Sequence, residues 1–169
     1  MQRYVNRFIR NIEGSMFKAR IQLDGWQVRT ADYTAPGRYE FRPSRKEVIN
    51  VGDYWGDPGT TVFLRRTVSV PESYGNAKAA MMLMAGGEGL VRIDGKAYQG
   101  IDRNHSVVVL PEGGKEFDVE IEVFNPVPTP TDHLNAQTVG VAPGAGRLNE
   151  AALVRVDPLV VDVYYTLLA

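Results

Sequence analysis

The sequence predicts an all-β domain, an antiparallel β-sandwich of jelly-roll, galactose-binding-like type, led by an N-terminal amphipathic helix. Three observations carry that expectation. From Ile21 onward the chain is a series of short apolar runs punctuated by Gly, Pro and Asp, the spacing of sandwich strands. In the run 117–124, Phe117, Val119, Ile121 and Val123 fall on one side of the pleat and Asp118, Glu120 and Glu122 on the other, so one face is buried and one is wet. Asp94-Gly95, between two such runs, is a two-residue hairpin turn, because both residues tolerate positive φ.

The elements follow in order. Over residues 1–18, Tyr4, Val5, Phe8, Ile9, Ile12 and Met16 recur at three- and four-residue steps with Arg3, Arg7, Arg10 and Glu13 between them, which is the pattern of a one-sided helix. Gly14 ends or frays it. Its apolar face is narrow, which favours a helix on the edge of its own domain over one lying on a membrane. Residues 19–158 form the sandwich, with strands expected over 22–29, 39–42, 62–70, 79–84, 89–93, 96–99, 106–110, 117–124 and 152–156. The runs 81–84 and 107–110 are apolar on both sides, as in strands covered twice or meeting something outside the chain. After Asn125-Pro126 comes a long Pro- and Gly-rich connection without periodicity, unusual inside a compact domain. Residues 159–169 are strongly apolar for a chain end and read as a last strand, over 160–167, or the start of a linker to a missing domain.

A chain of 169 residues suits one domain and can hide about 70% of its unfolded surface. Nineteen basic against twenty acidic residues give a formal charge of -1, which argues against nucleic acid and acidic membranes as partners. The absence of cysteine removes disulfides, thiolate metal sites and thiol nucleophiles, and suits a reducing compartment. The N-terminus has neither a secretory signal nor a membrane span, so a cytoplasmic location is expected, and Asn104-His105-Ser106 is then an idle match to the glycan-acceptor pattern.

Catalytic chemistry is sparse. The histidines, His105 and His133, stand far apart, too few for a zinc site or a Ser-His-Asp triad, and there is no Gly-x-Ser-x-Gly elbow. Gly86-Gly87-Glu88-Gly89 lacks the Lys-Ser/Thr of a phosphate loop and reads as a turn in which larger side chains would clash. Glu88, Asp94, Asp102 and Glu112 are close in sequence, yet acids in turns are ordinary. The polar tip Asp102, Arg103, Asn104 and His105 admits two readings that stay open at this point. Asp102 can accept from backbone amides, Arg103 can fork onto a carboxylate and Asn104 tolerates a left-handed turn, which are structural jobs. The same groups with Tyr98, Tyr54 or Trp55 nearby would equally make a sugar-binding rim, and for a separate carbohydrate-binding module Trp26, Tyr54 and Trp55 are the candidate stacking residues, although such rings are more often core than platform.

The stretch "GGEGLVRIDGKAYQGIDRNHSVVVL" resembles the signature of the N-terminal β-sandwich domain of glycoside hydrolase family 38 α-mannosidases, in which a Gly-Glu-Gly-Leu-Val strand, a Gly-containing hairpin and Gln-Gly-Ile/Leu-Asp-Arg-Asn-His follow in this order. Arg65-Arg66-Thr67-Val68-Ser69-Val70-Pro71 upstream, and Glu120-Ile121-Glu122-Val123-Phe124-Asn125 and Val156-Asp157-Pro158 downstream, also fit. The Pro/Gly-rich segment 127–146 departs from the pattern. The resemblance implies a parent enzyme that cleaves terminal α-mannosides with retention, using an aspartate nucleophile and zinc or another divalent cation, both in a separate catalytic domain missing here. No catalytic or metal-binding residue carries over, so this chain is expected to be inactive, without cofactor, and to shield and orient its own catalytic domain. Residues 102–105 would then reach the active-site mouth. A mannoside ligand and a homo-oligomer are the further partners the resemblance suggests. The alternatives are an independent carbohydrate-binding module and a dimerisation domain.

Overall fold

The computed structural model describes residues 17–127 and 144–157. Its strands are β1 (Phe17–Gln22), β2 (Trp26–Ala35), β3 (Arg38–Arg42), β4 (Val48–Ile49), β5 (Thr61–Ser69), β6 (Lys78–Met84), β7 (Glu88–Ile93), β8 (Lys96–Ile101), β9 (Val107–Val109), β10 (Glu116–Phe124) and β11 (Glu150–Val156). They form a four-stranded sheet, β1-β11-β6-β9, and a seven-stranded sheet, β3-β2-β5-β10-β7-β8 with β4 paired to β2. Every pairing between these strands is antiparallel.

The alternation of β10 explains its central place. Phe117, Val119, Ile121 and Val123 are buried and join Leu64 and Val91 of the same sheet against Met81, Leu83, Val108 and Leu153 of the other. Each fully buried aliphatic side chain contributes about 1.5–3 kcal/mol. On the outer side Asp118 pairs with Arg65, and Arg92 reaches Glu122 at 2.8 Å and Glu120 at 3.8 Å. Part-exposed pairs of this kind add little stability but set which face meets water.

The smaller sheet is apolar on both sides, as its runs predict, but unevenly. Outside the main core Ala80, Val154 and Val156 are buried, with Phe17, Met82 and Val107 packed against them. Further along, Met84 and Val109 are 37% and 41% exposed.

Three expectations change. The helix over 1–18 lies outside the described residues except for Phe17 and Lys18, which belong to strand β1. The strand expected over 22–29 is divided: Gln22 closes β1, Gly25 turns the chain at φ 78°, and Trp26 opens β2. β4 is only two residues long and leaves no periodic trace. The strand expected over 160–167 lies outside the described residues, as does most of the long connection. Among the described residues no helix is long and apolar enough to cross a membrane.

Two features position the polar tip. Asp94 and Gly95 have φ of 51° and 76°, the tight turn their sequence predicts, and the hairpin they close pairs Gly89 with Ile101. Glu88, which opens β7, and Asp102, which follows β8, therefore emerge at the same end of the larger sheet. Beyond Asp102 the chain crosses to β9 on the edge of the smaller sheet. Tyr98 donates its hydroxyl to the Val109 carbonyl at 2.7 Å and Gln99 Nε2 donates to the Val107 carbonyl at 2.8 Å, stitching the two sheet edges together.

Candidate functional site

Asp102 organises the tip. Its Oδ1 accepts from the amides of Asn104 at 2.6 Å and His105 at 2.8 Å, and the His105 Nδ1 lies 3.0 Å from Oδ2. These contacts, the His105 ring first, hold the Asp102 carboxyl below its ordinary value, so it is ionised at neutral pH. With an ionised acceptor opposite, Nδ1 carries the hydrogen and Nε2 is left outward. The structural reading of Asp102 is thus what the geometry supplies, whereas Arg103 and Asn104 are exposed with their side chains free of ion pairs or hydrogen bonds to any described residue.

Beside the tip is a groove of about 390 Å³, within the range of small-ligand sites. Three parts of the chain build it. One wall is Asp102, Arg103 and Asn104; the second is Met84 through Glu88; the third is Pro126, Gly144, Ala145 and Asn149. The two ends of the contiguous "GGEG…DRN" stretch therefore meet in one place. Glu88 is exposed and has no ion-pair partner among the described residues, so the groove offers a carboxylate acceptor opposite guanidinium and amide donors.

The glycines on the second wall are required by packing. A Cβ on Gly86 would stand 2.2 Å from the Arg147 carbonyl oxygen, and one on Gly87 2.1 Å from that of Phe124. The turn is one where larger side chains clash, as its composition predicts. Behind it, Trp55 donates its indole N–H to the Ala85 carbonyl at 2.7 Å. Asn125 fastens the third wall: its Nδ2 donates to the Gly56 carbonyl at 2.9 Å and its own carbonyl accepts from Gly59.

The predicted aromatic platform does not assemble. Trp26 and Trp55 are 0% and 2% exposed, with both indole N–H groups spent on backbone carbonyls. A stacking ring must offer a face to solvent, and these belong to the core. Tyr54 is half-buried, its hydroxyl donated to Asp57 at 2.6 Å and the Arg45 guanidinium 5.4 Å from the ring centre. His105, exposed at the tip, does not line the groove. Sequence reasoning missed the third wall, which lies more than twenty residues from the tip and carries no local signal except the Pro- and Gly-rich composition at its two ends.

Among the described residues no three His, Asp or Glu side chains gather where they could hold a metal ion. A smaller cleft of about 290 Å³ near Gly25 is lined by Arg65 and Arg66, whose charges are already engaged by Asp118 and by the Asp24 and Thr67 carbonyls.

No protein-family model matches the chain, and no curated protein matches it. Solved structures do resemble it in fold. β-Glucuronidase 2 of Bacteroides uniformis superposes over 82% of this chain and 18% of its own, with a TM-score of 0.50 and 15% identity. Another solved structure of a Bacteroides uniformis β-glucuronidase matches over 80% of this chain and 17% of its own, with a TM-score of 0.50 and 14% identity. A β-galacturonidase of Eisenbergiella tayi matches over 83% of this chain and 25% of its own, at a TM-score of 0.49 and 13% identity. The chain thus spans a quarter or less of the length of each. At such identities the likeness to the two β-glucuronidase structures is one of fold: an antiparallel β-sandwich that also occurs as one part of a larger chain.

Proposed function

We propose that this chain is the non-catalytic accessory sandwich of a glycoside hydrolase, and that its parent is a cytoplasmic enzyme hydrolysing terminal α-D-mannosides with retention. In this reading the groove between Glu88 and Asn104 forms part of the wall of the parent's active-site mouth. One observation supports it above the others: both ends of the stretch that resembles family 38 line the same groove, where the side chains of Glu88, Arg103 and Asn104 have no hydrogen-bond or ion-pair partner among the described residues.

The chemistry suits a neutral sugar. Hydroxyl groups both donate and accept, so they can receive from Arg103 and Asn104 and donate to Glu88. Asp102 fixes the loop beforehand, which lowers the ordering cost of engaging a ligand. Contacts made away from the reacting bond orient the sugar and are spent on catalysis there. The nucleophile and the divalent cation, which would polarise or position the sugar, belong to the separate catalytic domain in this reading. The residues of this chain bind and orient.

The isolated chain is expected to give no turnover of an aryl α-mannoside, with or without added zinc. Metal-dependent hydrolysis that co-purifies with this polypeptide would contradict the reading.

A further inference from the structure

A second surface stands apart from the groove, on the outer face of β3, β2 and β5. Strand alternation puts Val28, Val62 and Leu64 into the core and turns Arg29, Tyr33, Tyr39, Phe41 and Phe63 outward. The outward rings form a connected lattice. Tyr33 meets Tyr39 edge-on at 5.7 Å between centres, Tyr39 meets Phe63 at 5.1 Å, and Phe41 meets Phe63 at 5.6 Å. The lattice is fixed at both ends: the Arg29 guanidinium sits 3.9 Å from the Phe41 centre, and Tyr39 donates its hydroxyl to Glu122, which Arg92 grips from the other side at 2.8 Å. Yet Tyr33 and Phe41 remain 53% and 50% exposed. Large aromatic rings clustered and left in water mark a binding surface more often than chance.

We propose that this face is a carbohydrate-binding surface, with Tyr33 and Phe41 as stacking rings and Glu122 and Arg92 as its polar rim. The occupant follows from the mixture of groups. A pyranose has an apolar C–H face that lies on a ring and hydroxyls that replace the water around a charged rim. A protein partner covering the same face would have to desolvate Arg29, Arg92, Glu122 and the neighbouring Arg65–Asp118 pair, at a cost that imperfect pairing does not repay. The surface is independent of the groove, so it stands or falls separately from the accessory reading.

The test is native gel electrophoresis of the whole chain through gels holding soluble α-mannan or, as a second arm, mixed-linkage β-glucan. Retardation is expected in at least one. The Tyr33→Ala/Phe41→Ala double variant should lose it at least tenfold in apparent affinity, and so should Phe41→Leu, which keeps an apolar side chain but removes the flat ring and guards against a folding defect. Lys115→Ala, an exposed change outside both the aromatic face and the groove, should be retarded like the parent chain. No retardation in either polysaccharide, retardation unchanged in both ring variants, or retardation lost with Lys115→Ala would overturn the proposal.

Discussion

The two ends of the "GGEG…DRNH" stretch sit side by side yet are constrained in opposite ways. At Gly86 and Gly87 the backbone of Arg147 and Phe124 presses so close that no side chain fits. At Arg103 and Asn104 the side chains are exposed and have no partner among the described residues, while Asp102 between the strand and the tip does the holding. A contiguous motif can therefore mix residues kept by packing with residues available for binding. Only the structure separates them.

The comparison can be broken experimentally. Gly87→Ala should be the most damaging change, about 3 kcal/mol, because its Cβ meets a backbone carbonyl that cannot swing aside; urea unfolding would measure it, and a loss under 1 kcal/mol would show that the contact relaxes. Trp55→Phe comes next. It keeps most of the buried ring but leaves the Ala85 carbonyl without its donor, a loss of about 1–3 kcal/mol visible in the same melt. Asp102→Asn should leave the global midpoint nearly unchanged while the Asn104 and His105 amides exchange faster by hydrogen exchange. The same contacts give a pH signature: the Asp102 carboxyl is depressed below 3.8, so its support is complete above that pH and is lost as pH falls through the lower folded value. Arg103→Ala should shift stability least, within about 0.5 kcal/mol, since nothing among the described residues is paired to it. If Arg103→Ala proved as destabilising as Gly87→Ala, the distinction between the two ends would be gone.

The outer aromatic face offers a further titration. Hydrogen bonding to Glu122, reinforced by partial burial, pushes the Tyr39 hydroxyl from 10.0 up to about 12. Its contribution is present below pH 10 and fades as pH rises toward 12, so ultraviolet titration should show a tyrosine ionising late.

Much of the fold was legible because strands with one wet face write their orientation into the sequence. In β10 the alternation named each buried residue, and Asp94-Gly95 fixed the hairpin that aligns Glu88 with Asp102. β1 was hidden because its run Phe17–Gln22 is exposed except at Phe17 and so presents no run of buried apolar residues to mark a strand. Trp26 and Trp55, candidate stacking rings by residue type alone, belong to the core, and it is the face of the strand that decides this. Trp26 is in phase with Val28 and Thr30, both buried, and that two-residue step was the available sign that it points inward. Tyr33 and Phe41 are out of phase with the core and were the rings to name. One of the groove's three walls could not be read at all: Asn149 and Gly144 reach it through the antiparallel return of β11, a long-range pairing with no local pattern.

Central to all of this is the groove as a binding wall that serves chemistry held elsewhere. The direct measurement is the steady-state kinetics of the complete enzyme carrying this domain, with Arg103→Ala and Asn104→Ala compared against the parent on an α-mannoside. If the groove faces the sugar, kcat/KM should fall at least tenfold while the melting temperature stays put. Unchanged kcat/KM in both variants would contradict it and leave residues 102–105 as a turn alone.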